Sequence, residues 1–223
     1  MMDNLQIIVD LTKTIAIKFK DNEFQTINDI ADQIDCLFLN RIIQDADSAL
    51  ILSHAGYFGS ARTLLAVIYR NTMMFASLVG ADQERINSFW NEEADTYQDK
   101  MSPFSKDFSD GNSIKLAKKN FGDDTFSRIE FEKSLHGSCF ALRKYYTDRA
   151  IDNGLRTPVV TFGPFKNQKF TEEIESVSRA CLIDFLGVLF TKHVNKEYLK
   201  DELNLYYKLA QIEKDLISRE GSL

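Results

Sequence analysis

Apolar residues recur every three or four positions along almost the whole chain, and few residues interrupt them. Only three prolines and ten glycines fall among 223 residues. Proline breaks helices and glycine loosens them, so their scarcity favours long helices over a many-stranded fold with frequent turns. The first stripe runs through Leu5, Ile8, Val9, Thr12, Ile15, Ala16 and Phe19 and stops at Asp21-Asn22. A second starts near Phe24 and ends at His54-Ala55-Gly56, where glycine can close a helix. A third spans about Tyr57 to Val79, with Gly80 as its stop. Asp82 is placed to cap a fourth helix carrying Ile86, Phe89, Trp90 and Tyr97.

The second half has longer gaps. Residues 101–124 are rich in turn formers, with one short basic helix expected around Ile114–Asn120. Asp123 or Asp124 then caps a helix predicted to last to about Asp152, where Asn153-Gly154 ends it. The segment from Thr157-Pro158 to Lys169, with Gly163-Pro164 inside, reads as the longest loop. Thr171, followed by Glu172 and Glu173, predicts the start of a very apolar, central helix that runs to about His193. The last helix follows Asn195 with a narrow seam of Leu199, Leu203, Tyr206, Leu209 (or Ala210), Ile212 and Leu216. Such a seam suits packing on a bundle or on a partner's helix. No strand is expected. The sum is an all-α, antiparallel helical bundle of about seven helices, folded as one domain over residues 1–223, whose C-terminal helix at 196–218 packs or dimerises.

Composition excludes several classes. Hydrophobic residues make up 44 % of the chain, too many for a disordered one. The formal net charge of -6 gives no reason to expect indiscriminate nucleic-acid binding. Residues 141–169 depart from that average, with Arg143, Lys144, Arg149, Arg156, Lys166 and Lys169 against Asp148 and Asp152. This basic window fits a site for an anion, or a solvated basic face. Cys36, Cys139 and Cys181 are scattered and odd in number, which is no disulfide framework and no zinc-ligand spacing. Asp3 and Asp10 interrupt the N-terminal apolar residues, so no signal peptide is expected there. Asp184 interrupts Ala180–Phe190, which is too short to span a bilayer. A cytoplasmic protein without a membrane partner, metal or cofactor is the expectation.

One constellation carries chemistry. Glu132 lies four residues before His136 and Arg143 seven after, so all three share one face if this segment is helical. Histidine exchanges protons near neutral pH, and arginine presents a planar donor fork to phosphate oxygens. In RNA cleavage His136 would serve as base or acid and Arg143 would stabilise charge on the phosphate, while Glu132 orients the imidazole. The same residues also read as an ordinary polar seam. Arg62 and Arg70, in the third helix, are expected as interior cations that await a carboxylate or a ligand phosphate. His54 and His193 sit near helix ends, where histidine can satisfy carbonyls.

The run Gly56-Tyr57-Phe58-Gly59-Ser60-Ala61-Arg62, its helix continuing to Arg70, and the later Ser134-Leu135-His136-Gly137 resemble the HEPN-like helical proteins of bacteria over roughly residues 40–150. The resemblance implies an all-α bundle, often dimeric, with a HEPN-like core at about 24–194. It implies either a metal-independent ribonuclease of the toxin–antitoxin or phage-defence type, or an inactive partner or nucleotide-binding module. The family's catalytic signature is an arginine, four to six residues, then a histidine. Here Arg128 precedes His136 with seven residues between, and Arg143 follows it with six between. The resemblance thus implies a branch without the standard signature, with His136, Arg143 and Glu132 as catalytic candidates. Arg128, Lys144, Arg149, Arg62 and Arg70 are the candidates for phosphate or RNA contact. The partners it implies are RNA or a nucleotide, a second copy of the chain, or another helical protein.

Overall fold

The computed structural model describes residues 4–23, 30–91, 110–121, 147–152, 155–160 and 164–220. Among these, seven α-helices form an all-α bundle: α1 (Asn4–Glu23), α2 (Ile30–His54), α3 (Phe58–Leu78), α4 (Gln83–Trp90), α5 (Asp110–Phe121), α6 (Gln168–His193) and α7 (Lys200–Glu220). A 3-10 turn, Glu197–Leu199, leads into α7. Most residues of the apolar stripes read from the sequence face inward, whereas Ile212 of the C-terminal seam is exposed. Ile8, Ile15 and Phe19 of α1, Ile34, Leu39 and Ile42 of α2, and Phe58, Leu65, Ile68 and Phe75 of α3 meet Phe185, Leu186 and Leu189 of α6 in one core. As its composition predicts, α6 is central and packs against α1, α2, α3 and α7.

Local chemistry sets the helix ends. Asp82 accepts the Arg85 N–H at 2.9 Å and caps α4, which ends at Trp90; Tyr97 lies outside the described residues. Asn167, not Thr171, caps α6, its side chain accepting the Phe170 N–H at 3.3 Å. The α2–α3 turn closes with Tyr57 N–H donating to Leu52 O at 2.8 Å and Gly56 N–H donating to Ser53 O at 2.9 Å. This double bond pattern needs a left-handed residue at position 56, and Gly56 supplies it with φ 87°. The short helix α5 docks on the end of α3, where Asn120 Nδ2 donates to Ala76 O at 3.2 Å and Val79 O at 3.0 Å.

One region departs from the expected helices. Thr147–Asp152 and Leu155–Val160 form an antiparallel two-stranded hairpin, β1 and β2, registered from Thr147 opposite Val160 to Asp152 opposite Leu155. The sequence periodicity predicts a helix up to Asp152 and a loop from Thr157, and the hairpin corrects both expectations. Asn153-Gly154 suits a helix stop, but the same dipeptide is also the preferred two-residue hairpin connection. Thr157, Val159 and Val160 add β-branched residues, which favour strands.

The C-terminal helix closes the bundle against α6 and α1. Glu213 is held by Arg179 of α6 at 3.1 Å, and Glu202 by Lys18 of α1 at 2.8 Å. Leu199 and Leu209 are buried, while Leu205, Tyr207 and Ile212 remain exposed. Gly187 allows the close approach of α7, because a Cβ there would stand 2.7 Å from the Tyr206 hydroxyl. Burial, then Asp184 and Tyr207, push the Tyr206 phenol above its ordinary 10.0. The neutral phenol is therefore favoured in the fold, and its contribution to stability is present below pH 10.0 and lost as the pH rises above it. Denaturant titrations between pH 8 and 11 are expected to show this alkaline loss, and Tyr206→Phe is expected to diminish it. An identical pH profile in the variant would refute the assignment.

Candidate functional site

The described residues place polar groups at both ends of the α2–α6 pair. The first cluster centres on Asp35, on the inward stripe of α2 with Ile34, Phe38, Leu39 and Ile42. Asp35 is 0 % exposed. A carboxylate there needs donors, since removing a bare charge from water costs several kcal/mol. Two consecutive residues at the C-terminal end of α6 supply them. Lys192 Nζ donates to Asp35 Oδ1 at 2.5 Å, and His193 Nε2 lies 2.5 Å from Oδ2. The carboxylate can only accept, so the imidazole nitrogen is the donor. Phe19 of α1 packs edge-on to the His193 ring, with centroids 4.9 Å apart. Lys192 also lies 5.8 Å from the centroid of the Phe75 ring of α3.

Asp32 joins this cluster on the same side of α2, and ligand atoms of Asp32, Asp35 and His193 lie within 4.8 Å of one another. That donor set resembles a metal site in residue type. Its chemistry favours an ion-paired network instead. The Lys192 ammonium already stands against Asp35, and the His193 nitrogen a cation would need is directed at the same carboxylate.

The second cluster lies at the opposite end of the pair. His54, the last residue of α2, places Nε2 3.0 Å from Glu175 Oε1 of α6. His54 is largely exposed, with 62 % of its side chain accessible, against 3 % for His193. Beside this bridge is a cavity of about 290 Å³, lined among others by Ser53, His54, Gly56, Lys166, Asn167 and Glu175. The backbone of Phe165 crosses close to Gly56, donating N–H to Gly56 O at 3.4 Å; a Cβ on Gly56 would fall 2.5 Å from Phe165 O. Phe58, Phe165 and Phe170 pack edge to face behind this strap and fix the start of α6 on the start of α3. Ser53 is 1 % exposed, and among the described residues its hydroxyl has no hydrogen-bond partner.

The sequence candidates fall in different places. Glu132, His136, Arg143, Lys144 and Arg128 lie outside the described residues. Arg149 lies on β1, opposite Pro158 in the strand register. Arg62 is interior, at 5 % exposure, as expected. Arg70 is at the surface, which corrects its reading as an interior cation. It lies eight positions beyond Arg62, so it is rotated about 80° around α3 and leaves the buried face. His54 and His193 do stand at helix ends, but their ring nitrogens bind carboxylates of a neighbouring helix rather than carbonyls. The two clusters themselves were not foreseen. The available signals were a lone Asp35 and a lone Ser53 at inward positions of an otherwise apolar stripe. The chain matches no family model, no curated protein and no solved structure.

Removing the Asp35 carboxylate strands Lys192 and His193 in the core. Asp35→Ala is therefore expected to destabilise the fold by about 3–5 kcal/mol, the usual result of breaking a buried pair from one side. Half-buried Asp47, bridged to Lys13 at 2.8 Å near the surface, is the control, and Asp47→Ala is expected to cost under about 1 kcal/mol. Equal losses in chemical denaturation would show that burial of the Asp35 pair carries no special weight.

Proposed function

We propose that this chain is a HEPN-like helical binding and assembly protein, in which the described helices serve as scaffold and docking surface. The observation that carries this reading is the engagement of both described histidines. His193 is buried against Asp35, and His54 is bridged to Glu175, so each is tied to a carboxylate that joins α2 to α6. Fixed this way, the imidazoles stitch two helices together. The exposed Leu205, Tyr207 and Ile212 of α7 supply apolar surface for a second copy of the chain. Among the described residues no helix is long and apolar enough to cross a membrane, which is compatible with a cytoplasmic setting. Light scattering at micromolar concentration is expected to give a dimer, and Leu205→Glu with Ile212→Glu is expected to raise its dissociation constant at least tenfold. A wild-type monomer would overturn the assembly reading.

The second reading is a metal-independent ribonuclease of the bacterial defence or toxin type. It rests on the sequence stripe of Glu132, His136 and Arg143, which carries the third of the chain's three histidines. In it His136 exchanges the proton, Arg143 stabilises phosphate charge and Glu132 orients the ring. Arg128, Lys144 and Arg149 contribute positive charge toward RNA. Single-stranded RNA is expected to be cleaved in the presence of EDTA, with His136→Ala slowing cleavage at least about 100-fold, the lower end for loss of a general acid or base. Equal rates in the two proteins, or no cleavage by either, would remove this reading and leave the binding one in place.

A further inference from the structure

We propose that the cavity between the end of α2 and the start of α6 is a binding site for the phosphate group of a small phosphomonoester. Three features converge on it. The first is the N-terminus of α6, a 26-residue helix. Its first two N–H groups, on Gln168 and Lys169, have no acceptor within the helix, and the aligned peptide dipoles favour an anion at this end. The Phe170 N–H is already taken by the Asn167 side chain, so the cap satisfies one donor and leaves the leading pair for a ligand. The second feature is Lys166, which lines the same cavity and brings a full positive charge two residues before the helix.

The third feature is independent of α6. Ser53 of α2 also lines the cavity, is 1 % exposed and has a hydroxyl with no hydrogen-bond partner among the described residues. A buried hydroxyl without a partner costs about 1–3 kcal/mol, so it calls for an acceptor. Among the described residues that line the cavity the only carboxylate is Glu175, and it is engaged by His54 at 3.0 Å, which limits its repulsion of an anion. The donors approach from two helices and from the preceding strap. A tetrahedral oxyanion presents oxygens in all these directions, whereas a planar carboxylate presents two in one plane. A volume of about 290 Å³ exceeds what a phosphate ion needs, and this leaves space for a small organic group against Phe58.

The proposal does not depend on the proposed assembly or nuclease activity. Isothermal titration of the full chain with inorganic phosphate, glycerol phosphate, acetate and a short RNA with either a 5′-phosphate or a 5′-hydroxyl tests it. Both phosphate and glycerol phosphate are expected to saturate one site per chain, glycerol phosphate more tightly, with acetate at least tenfold weaker. The 5′-phosphorylated RNA binding far better than glycerol phosphate would overturn the small-molecule assignment, and equal binding of acetate would overturn phosphate. Lys166→Ala is expected to weaken phosphate at least tenfold, while Lys115→Ala on exposed α5 surface leaves it unchanged. Ser53→Ala provides the second readout. If the hydroxyl awaits a ligand, its removal weakens phosphate several-fold yet leaves the ligand-free melting temperature unchanged or higher. A lower melting temperature with unchanged phosphate affinity would show that Ser53 is structural and would refute the proposal.

Discussion

A carboxylate in the middle of an apolar core sets the terms for the helices around it. Asp35 has no access to water, so it must be neutralised and hydrogen-bonded by the protein. Lys192 and His193 do this from successive positions of α6, each on a different oxygen. Side chains one position apart on a helix diverge by about 100°, so both can reach one carboxylate only if the end of α6 sits directly against Asp35. The apolar contacts elsewhere between α2 and α6 tolerate small slides and rotations far better. Phe19 and Phe75 bring α1 and α3 into the same arrangement, one on the imidazole and one beneath the ammonium. Four helices are thus registered at one polar point.

That registration has a consequence at the far end of the pair. From Asp35 to His54 is 19 positions along α2, and from Glu175 to His193 is 18 along α6. At 1.5 Å per residue both spans are about 28 Å. Two antiparallel helices locked at one end therefore bring His54 and Glu175 level at the other, and they are found 3.0 Å apart. The strap before α6 is held by a different device, the missing Cβ of Gly56 against the Phe165 backbone. Together these constraints give the cavity walls that do not depend on an exposed loop for their position. Such rigidity keeps donors aimed at one point before a ligand arrives.

The helices were readable because their signals are local. Periodic apolar residues, few breakers, Asp82 as a cap and Gly80 as a stop all lie within a turn or two of what they determine. The hairpin was not readable in the same way, because Asn153-Gly154 serves equally as a helix end and as a strand connection. Only the pairing of Thr147–Asp152 with Leu155–Val160 decides between them. The polar clusters were illegible for a stronger reason. Asp35 and His193 are 158 positions apart, and nothing near either residue specifies the other. What the sequence does hold is the anomaly of an acid at an inward position. An apolar stripe that admits Asp35 must have a cation opposite, and α6 ends with a lysine and a histidine at the depth required.

The two ends of α2–α6 also show what separates structural polarity from polarity kept for a ligand. At the Asp35 end each acceptor oxygen meets a donor from the protein itself, and the charges compensate locally. At the Ser53 end the balance runs the other way. Hydroxyl, leading helix N–H groups and the Lys166 ammonium can all donate, and among the described lining residues the one carboxylate, Glu175, is already bridged to His54. Folding alone gains nothing from a buried serine in the stripe of Ile42, Ala46 and Ala49, where alanine would fit without an unsatisfied hydroxyl. A donor-rich cavity of this kind becomes favourable only when an anion enters it. Stability given up at Ser53 is then recovered in the bound state, which is how a binding site differs from a core that merely contains polar atoms.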